Sequence, residues 1–247
     1  MKIGVKAYYQ EDFLDYFIDK ADFFEVQGLR GKNYDFLKKY TKNKIPIVVH
    51  AEHHTQGSNP ADISNNSINQ ASITQAIQIA NLANSKKIIL HAGLIDNKNC
   101  SEENAINFIK NIKDNRILIE NTFRNNQEHL LCTTPQETKA FLKKTNKEFI
   151  FDLAHCMITA HMNKQDPISY IKAFLKLKPK HFHLSGQKWD SLEDQHLSLT
   201  ECDFDLAKVL KLYPRDAEIT LEVSKYKDKT EEDLKYIRKI IKQLSYS

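Results

Sequence analysis

The chain has 247 residues, of which 41% are hydrophobic and 28% charged, so it can bury a sizeable core beneath an ordinary polar surface. Its net charge of +4 is too mild to indicate a nucleic-acid-binding protein by itself, and its four widely spaced cysteines indicate reduced thiols. The first residues read as a strand, and no apolar run approaches the roughly 18 residues of a membrane helix. We therefore expect a cytoplasmic protein with no membrane partner.

Strand-like and helix-like patterns alternate along the whole sequence. The predicted strands are Lys2–Ala7, Phe23–Gln27, Pro46–His50, Lys87–His91, Arg116–Glu120, Phe149–Asp152, Lys180–His183 and Ile219–Glu222. The predicted helices cover Asp12–Lys20, Tyr34–Tyr40, Ile68–Asn84, Ser101–Ile112 and Phe204–Leu212, with further helices starting near Thr134, Asp166 and Thr230. Thr134 is predicted to cap its helix together with Glu137, and Asp203 is predicted to cap the helix at 204–212.

Eight strand–helix alternations predict an α/β protein with a (β/α)₈ TIM barrel, formed as a single domain over residues 1–247. In such barrels the active site lies at the C-terminal ends of the strands. A doubly wound open sheet is the alternative. The sequence argues against that sheet, because no glycine-rich phosphate loop follows the first strand and the chain contains only six glycines.

Six consecutive predicted strands end in His, Asp or Glu, and three further candidates follow shortly after strands six and seven. The strand-end residues are His50, His91, Glu120, Asp152, His183 and Glu222, and the additional ones are His155, Asp194 and His196. In a barrel, all of these side chains converge on one rim. Clustered carboxylates repel one another unless cations bind between them, so the pattern predicts a metal centre.

The residue types narrow the choice of metal and of reaction. Imidazole mixed with carboxylate, without thiolate, suits Zn²⁺, Mn²⁺ or Fe²⁺ better than Mg²⁺ or Ca²⁺. Nine side chains exceed the shell of one ion, whereas two or three divalent ions that share a bridging carboxylate would use them all. Such a cluster activates water and clamps a phosphoryl group, which predicts a metal-dependent hydrolase acting on a phosphate ester.

The same residues and their neighbours resemble the endonuclease IV (AP endonuclease family 2) branch of the xylose isomerase-like TIM barrels. The matching motifs are ENT at 120–122, DxxH at 152–155 and DxHxSL at 194–199, and they occur in the family's order. The resemblance implies three zinc-like sites formed by the following sets: His50 and His91 with a bridging Glu120; Asp152, His183 and Glu222; His155, Asp194 and His196. It also implies that Glu222, beside the bridging Glu120, orients the attacking water, and that the reaction is DNA repair by cleavage 5′ of an abasic site.

Departures from the family's pattern lie in the loops around the rim. The loop at 28–33 is short where the nuclease contacts DNA, so abasic DNA, a small phosphate ester and a sugar all remain as substrates. His53 takes the place of the nuclease's base-stacking aromatic residue, and Arg124 and Trp189 are further candidates for substrate contacts. His181 shares a strand face with His183 and is predicted to lie below the metals.

A sugar or sugar-phosphate isomerase or epimerase of the same superfamily is the alternative function. Such an enzyme would use one divalent ion at Glu120, Asp152, His183 and Glu222. The histidines at positions 50, 91 and 196 and the aspartate at 194 favour the hydrolase, because a mononuclear isomerase does not require them.

Overall fold

Eight parallel strands close into a barrel in the computed structural model of the chain, which describes residues 1–223 and 226–244. In chain order the strands are β1 (Lys2–Ala7), β2 (Phe23–Gln27), β3 (Ile47–His50), β4 (Ile88–His91), β5 (Leu94–Ile95), β6 (Ile117–Glu120), β7 (His129–Leu130), β8 (Glu148–Asp152), β9 (His181–Leu184) and β10 (Glu218–Leu221). β5 and β7 form a separate antiparallel pair, and the others form the closed ring. The predicted TIM barrel is confirmed, and the open sheet is excluded.

Helices follow most of the barrel strands and cover their outer face. They are α1 (Glu11–Phe17), α2 (Leu37–Lys42), α3 (Asn66–Leu82), α4 (Glu102–Asn111), α5 (Pro135–Thr145), α6 (Leu153–Met162), α7 (Pro167–Leu175), α8 (Leu206–Leu210) and α9 (Lys227–Leu244). The predicted cap of α5 is confirmed, since Thr134 and Glu137 form a complete capping box. Among the described residues, no helix is both long enough and apolar enough to cross a membrane.

Several predicted elements have different bounds in the structure; α1 ends at Phe17 and α2 begins at Leu37, each three residues from the predicted position. The cap of α8 is Asp205, which accepts a hydrogen bond from the Lys208 amide, whereas the predicted cap, Asp203, accepts one from the Trp189 amide. The last helix begins at Lys227, about one turn before the predicted start. β10 ends at Leu221, so Glu222 lies just beyond the strand end.

Helix α6 was not predicted, and it begins directly where β8 ends, without a loop. Residues 153–160 of this helix are all buried, so the sequence lacks the polar face that reveals a surface helix. Asp152 joins the two elements, because its Oδ1 accepts a hydrogen bond of 2.8 Å from the His155 amide and caps the helix. His155 is thereby held on the first turn of a fixed helix.

Alternating residues of the barrel strands point inward and fill the interior. Five of them form an apolar cluster separate from the main core: Phe23, Val48, Ile89, Leu118 and Ile150. The strand-end residues lie two positions further along β3, β4, β6 and β8, so this cluster supports the rim from below. Gly4 of β1 also faces the interior, where it lies against the Phe23 ring.

Gly4→Ala is expected to lower the free energy of unfolding by about 1–3 kcal/mol, because the added Cβ would overlap the ring of the buried Phe23. Chemical denaturation of the purified variants measures the effect. Gly4→Ala combined with Phe23→Leu provides the control, since the smaller side chain makes room and is expected to restore part of the loss. An unchanged unfolding midpoint for Gly4→Ala would contradict this account of the barrel interior.

Candidate metal centre

Glu120, at the end of β6, lies at the centre of the cluster. Its Oε2 is 3.2 Å from Nε2 of both His50 and His91. Its Oε1 is 3.3 Å from His183 Nδ1 and 3.5 Å from His155 Nδ1. The two oxygens of one buried carboxylate thus face different histidines, which is the arrangement that a bridging ligand requires.

His183 connects Glu120 to a second group of carboxylates. Its Nδ1 lies 3.1 Å from Glu222 Oε1 and 3.9 Å from Asp152 Oδ2. Asp152 and His183 are paired in register between β8 and β9, so the backbone itself brings their side chains together. These three residues and Glu120 surround one position in the barrel mouth.

The third group combines helix α6 with the loop that follows β9. His155 Nε2 is 3.5 Å from Asp194 Oδ2, and that oxygen is 2.9 Å from His196 Nε2. The loop is closed at its base by two backbone hydrogen bonds of 2.9 Å between Gly186 and Leu197. A Cβ at Gly186 would overlap the Ser198 carbonyl, so this close approach requires glycine.

Backbone carbonyls orient three of the imidazoles. His50, His155 and His196 each place Nδ1 at 2.7–2.8 Å from a carbonyl oxygen, so Nδ1–H is the donor and Nε2 faces the cluster. Nε2 of each ring then faces a carboxylate oxygen. Nitrogen and oxygen attract each other at this distance only when a proton or a metal ion lies between them. This donor geometry fits divalent ions.

Burial and charge shift the ionisation of these groups in opposite directions. Burial raises the pKa of Asp152 to about 6. Burial also acts to raise the pKa of Glu120, but the neighbouring His183 and His91 outweigh it and hold that pKa well below its usual range. Burial lowers the pKa of His196, yet Asp194 overcomes this effect and raises it to about 9. The carboxylates therefore depend on neighbouring positive charge.

Two buried atoms of the cluster have no hydrogen-bond partner among the described residues: Asp194 Oδ1 and His91 Nδ1. Buried polar atoms are almost always paired, and a carboxylate oxygen without a donor is suited to a cation. The side chains present therefore fit metal binding on two counts, their donor types and these unsatisfied atoms. All nine candidates converge as the barrel geometry predicts.

A cavity of about 530 Å³ opens above the cluster, a volume suited to a small ligand. His53 lines this cavity, and its ring stacks on His91 with centroids 4.8 Å apart. Arg124 does not line it, since its guanidinium donates to Asn163 and the residue borders a neighbouring cleft. Trp189 also lies apart from it and packs edge-on against His161 and at a tilt on Phe204.

Lys6 is a further member of the site, and no pattern in the sequence indicated it. Its ammonium group forms a close ion pair with Glu222 and lies 3.3 Å from Glu25 Oε1. Burial lowers the pKa of Lys6, but Glu222 and Glu25 outweigh this and raise it above its usual range. Lys2, Gly4 and Lys6 alternate along β1 and read as a solvent-facing edge, so only the closure of the barrel shows that Lys6 points inward.

A closed parallel barrel with histidines and carboxylates at the carboxyl ends of its strands defines a TIM-barrel protein with a candidate metal centre. The chain belongs to the xylose isomerase-like TIM barrel family, whose model matches residues 15–240. The comparison with curated proteins by sequence gives no match.

Solved structures of two kinds are similar to this chain. Endonuclease IV from Thermus thermophilus is 15% identical with a TM-score of 0.79, over 98% of this chain and 100% of that chain. A D-tagatose 3-epimerase-like protein is 20% identical with a TM-score of 0.71, over 99% and 100%. A further Thermus thermophilus protein, soaked with ZnCl₂, is 16% identical with a TM-score of 0.68, over 98% and 99%. These likenesses concern the fold, and they include both the endonuclease and the epimerase types.

Asp152 caps helix α6 and is also a candidate metal ligand. Asp152→Asn separates these two roles, because asparagine keeps an oxygen that can cap the helix but carries no negative charge. In metal-free protein we expect Asp152→Asn to be at least as stable as the wild type, since a buried charge is removed. On addition of Zn²⁺ it is expected to gain less stability than the wild type. Thermal denaturation with and without Zn²⁺ measures both effects.

Asp152→Ala is the matched control, since it loses the cap as well and is expected to be about 1 kcal/mol less stable than Asp152→Asn. An Asn variant that gains as much from Zn²⁺ as the wild type would show that Asp152 is not part of a metal site.

Proposed function

We propose that the protein is a metal-dependent hydrolase of phosphate esters that uses two or three divalent ions, with Zn²⁺ as the expected metal. The observation that carries this proposal is that five histidines and four carboxylates form overlapping groups at one end of the barrel, and seven of these nine side chains line one cavity. A single ion of four to six ligands would leave several of these buried groups uncompensated.

Three sets of side chains would hold the ions. His50, His91 and Glu120 would form the first, and Glu120 would bridge to the second, formed with Asp152, His183 and Glu222. His155, Asp194 and His196 would form the third. When bound, such ions activate water near neutral pH and neutralise the charge of a phosphoryl group.

The protein's own groups would position the substrate and the proton. Glu222 lies at the edge of the cavity, where its carboxylate can orient the attacking water and accept its proton. Tyr8 and His53 also line the cavity and offer hydrogen-bonding groups to a phosphate or a sugar. Cluster residues, among them Glu120, His155 and Glu222, line this cavity, so the substrate would approach from the solvent side of the rim.

Abasic DNA is the specific substrate that the resemblance favours. The ENT, DxxH and DxHxSL motifs support it, as does the similarity in fold to an endonuclease IV over 98% of this chain. A DNA strand would have to lie across the rim, where the loop at 28–33 is short.

A sugar isomerase or epimerase is the second candidate. The group of Glu120, Asp152, His183 and Glu222 around one position supports it, as does the similarity in fold to the D-tagatose 3-epimerase-like protein. This reaction would require one ion and would leave the remaining candidates without a role as metal ligands: His50, His91, His155, Asp194 and His196.

His196→Ala is expected to lower phosphodiesterase activity at least ~100-fold and to reduce the zinc content by about one equivalent, because it removes one of the three side chains of the third site. The measurements are hydrolysis of bis(p-nitrophenyl) phosphate and metal analysis of the purified chain. His129→Ala changes an exposed histidine outside the cavity and is expected to behave like the wild type.

Two results would count against the hydrolase. One is a wild-type protein that binds a single equivalent of metal. The other is epimerisation of a ketose that survives in His196→Ala, which would favour the second candidate.

Incision of a duplex containing one abasic site tests the DNA substrate. We expect cleavage on the 5′ side of the abasic site, and binding that weakens as salt rises, because phosphate contacts release counterions. An intact duplex of the same sequence is the control and is expected to remain uncut. Turnover of the small phosphodiester without any incision would exclude the repair reaction and retain the hydrolase.

A further inference from the structure

One side of the barrel interior beneath the cluster is polar. On the opposite side, Val48, Ile89, Leu118 and Ile150 form the apolar layer that barrels of this kind normally contain. On the polar side, Glu25 and His181 pair in register with Val48 and Ile150 of that layer, and Glu25, His181 and Thr220 are each 0% exposed. Buried polar groups are costly unless they are paired, so the pairing of this column determines what it can do.

Hydrogen bonds run through the column in one direction. The Lys87 ammonium donates to His181 Nδ1 at 3.3 Å, and His181 Nε2–H donates to Thr220 Oγ1 at 2.8 Å. The Thr220 hydroxyl in turn donates to Glu25 Oε2 at 2.8 Å. Each group in this series donates to the next, so Glu25 is the final acceptor. Its carboxylate is therefore fixed in place.

Glu25 also contacts the candidate ligand His183. Its Oε2 accepts from His183 Nε2 at 3.0 Å, on the side of the ring away from the cluster. With Nε2 carrying the proton, the lone pair of His183 Nδ1 points toward Glu120 and Glu222. A carboxylate that holds a histidine in this way orients it toward a metal and strengthens it as a ligand.

The second oxygen of Glu25 holds the Lys6 ammonium, which lies between Glu25 and Glu222. Lys6 therefore takes Oε1 of Glu222, the same oxygen that lies 3.1 Å from His183 Nδ1. A divalent ion placed there would compete with the ammonium for this oxygen and would be repelled by its charge.

We propose that the buried pair of Glu25 and Lys6 sets the ion affinity of the site formed by Asp152, His183 and Glu222. Glu25 raises the affinity by orienting His183, and Lys6 lowers it by competing for Glu222. Both are positioning residues, and the inference rests on the metal centre of the proposed function.

The test is an equilibrium titration of the metal-free, full-length chain with Zn²⁺ in competition with a chromophoric chelator. Glu25→Gln is expected to weaken zinc binding about 10–100-fold, the usual effect of removing such a hydrogen-bonding partner. Lys6→Met, which keeps the length of the side chain but not its charge, is expected to tighten it at least tenfold. Lys2→Met on the same strand removes an exposed lysine and is expected to leave the affinity unchanged.

The opposite signs distinguish this role from a structural one, since two substitutions that merely loosened the barrel would both weaken binding. Unchanged or weaker binding by Lys6→Met, or unchanged binding by Glu25→Gln, would overturn the inference. If Glu25→Gln does not fold, Thr220→Val removes one donor to Glu25 with little change of shape and is expected to weaken binding about threefold. Wild-type affinity in that variant would equally overturn it.

If Lys6→Met does not fold, Lys6→Gln is tested in its place. It is also expected to bind zinc more tightly than the wild type, and unchanged or weaker binding would overturn the inference. The titration contains no substrate, so its outcome is separate from that of the hydrolase assays. A wild-type chain that binds zinc while the variants show no shift would reject this inference alone. A wild-type chain that binds no zinc would reject the proposed function as well.

Discussion

Four carboxylates buried in one end of a barrel constrain everything around them. Glu25, Glu120, Asp152 and Glu222 are each at most 6% exposed, and together they concentrate negative charge where water is largely excluded. An uncompensated buried charge costs several kcal/mol, so each one needs a positive partner. Imidazoles and one lysine supply those partners in the structure, and carbonyl groups of the backbone fix how the imidazoles point. The fold thus provides charge compensation that metal ions could complete.

The sequence predicted the fold well because parallel strands buried on both faces read as short apolar runs. It also predicted the candidate site, because the ends of such strands converge in any barrel, and a His, Asp or Glu at each end marks the rim. The pattern did not reveal β5 and β7, since strands of two residues carry no periodic signal. Helix α6 was missed because its residues 153–160 are all buried, so its sequence has no exposed polar face that would reveal a helix.

The errors at single residues have a common cause, which is that sequence spacing does not show direction. Lys6 lies on a strand face that the sequence alone would assign to solvent, yet it points into the barrel. Trp189 and Arg124 follow the strands that carry the rim, but their side chains turn toward α6 and its neighbourhood and not toward the cavity. Sequence placed these residues near the site, and only the fold determined which of them face it.

The backbone closure between Gly186 and Leu197 separates the loop after β9 into two parts. Asp194 and His196 lie close to the closure, and Asp190 and Leu192 lie at the exposed tip. Exposed tips of this kind tolerate inserted residues. Such a protein could therefore acquire a longer loop, and with it a larger or different substrate, without displacing the side chains at its base. For protein engineering, the tip of this loop is therefore a defined position at which a substrate-binding segment could be inserted while the candidate metal ligands stay in place.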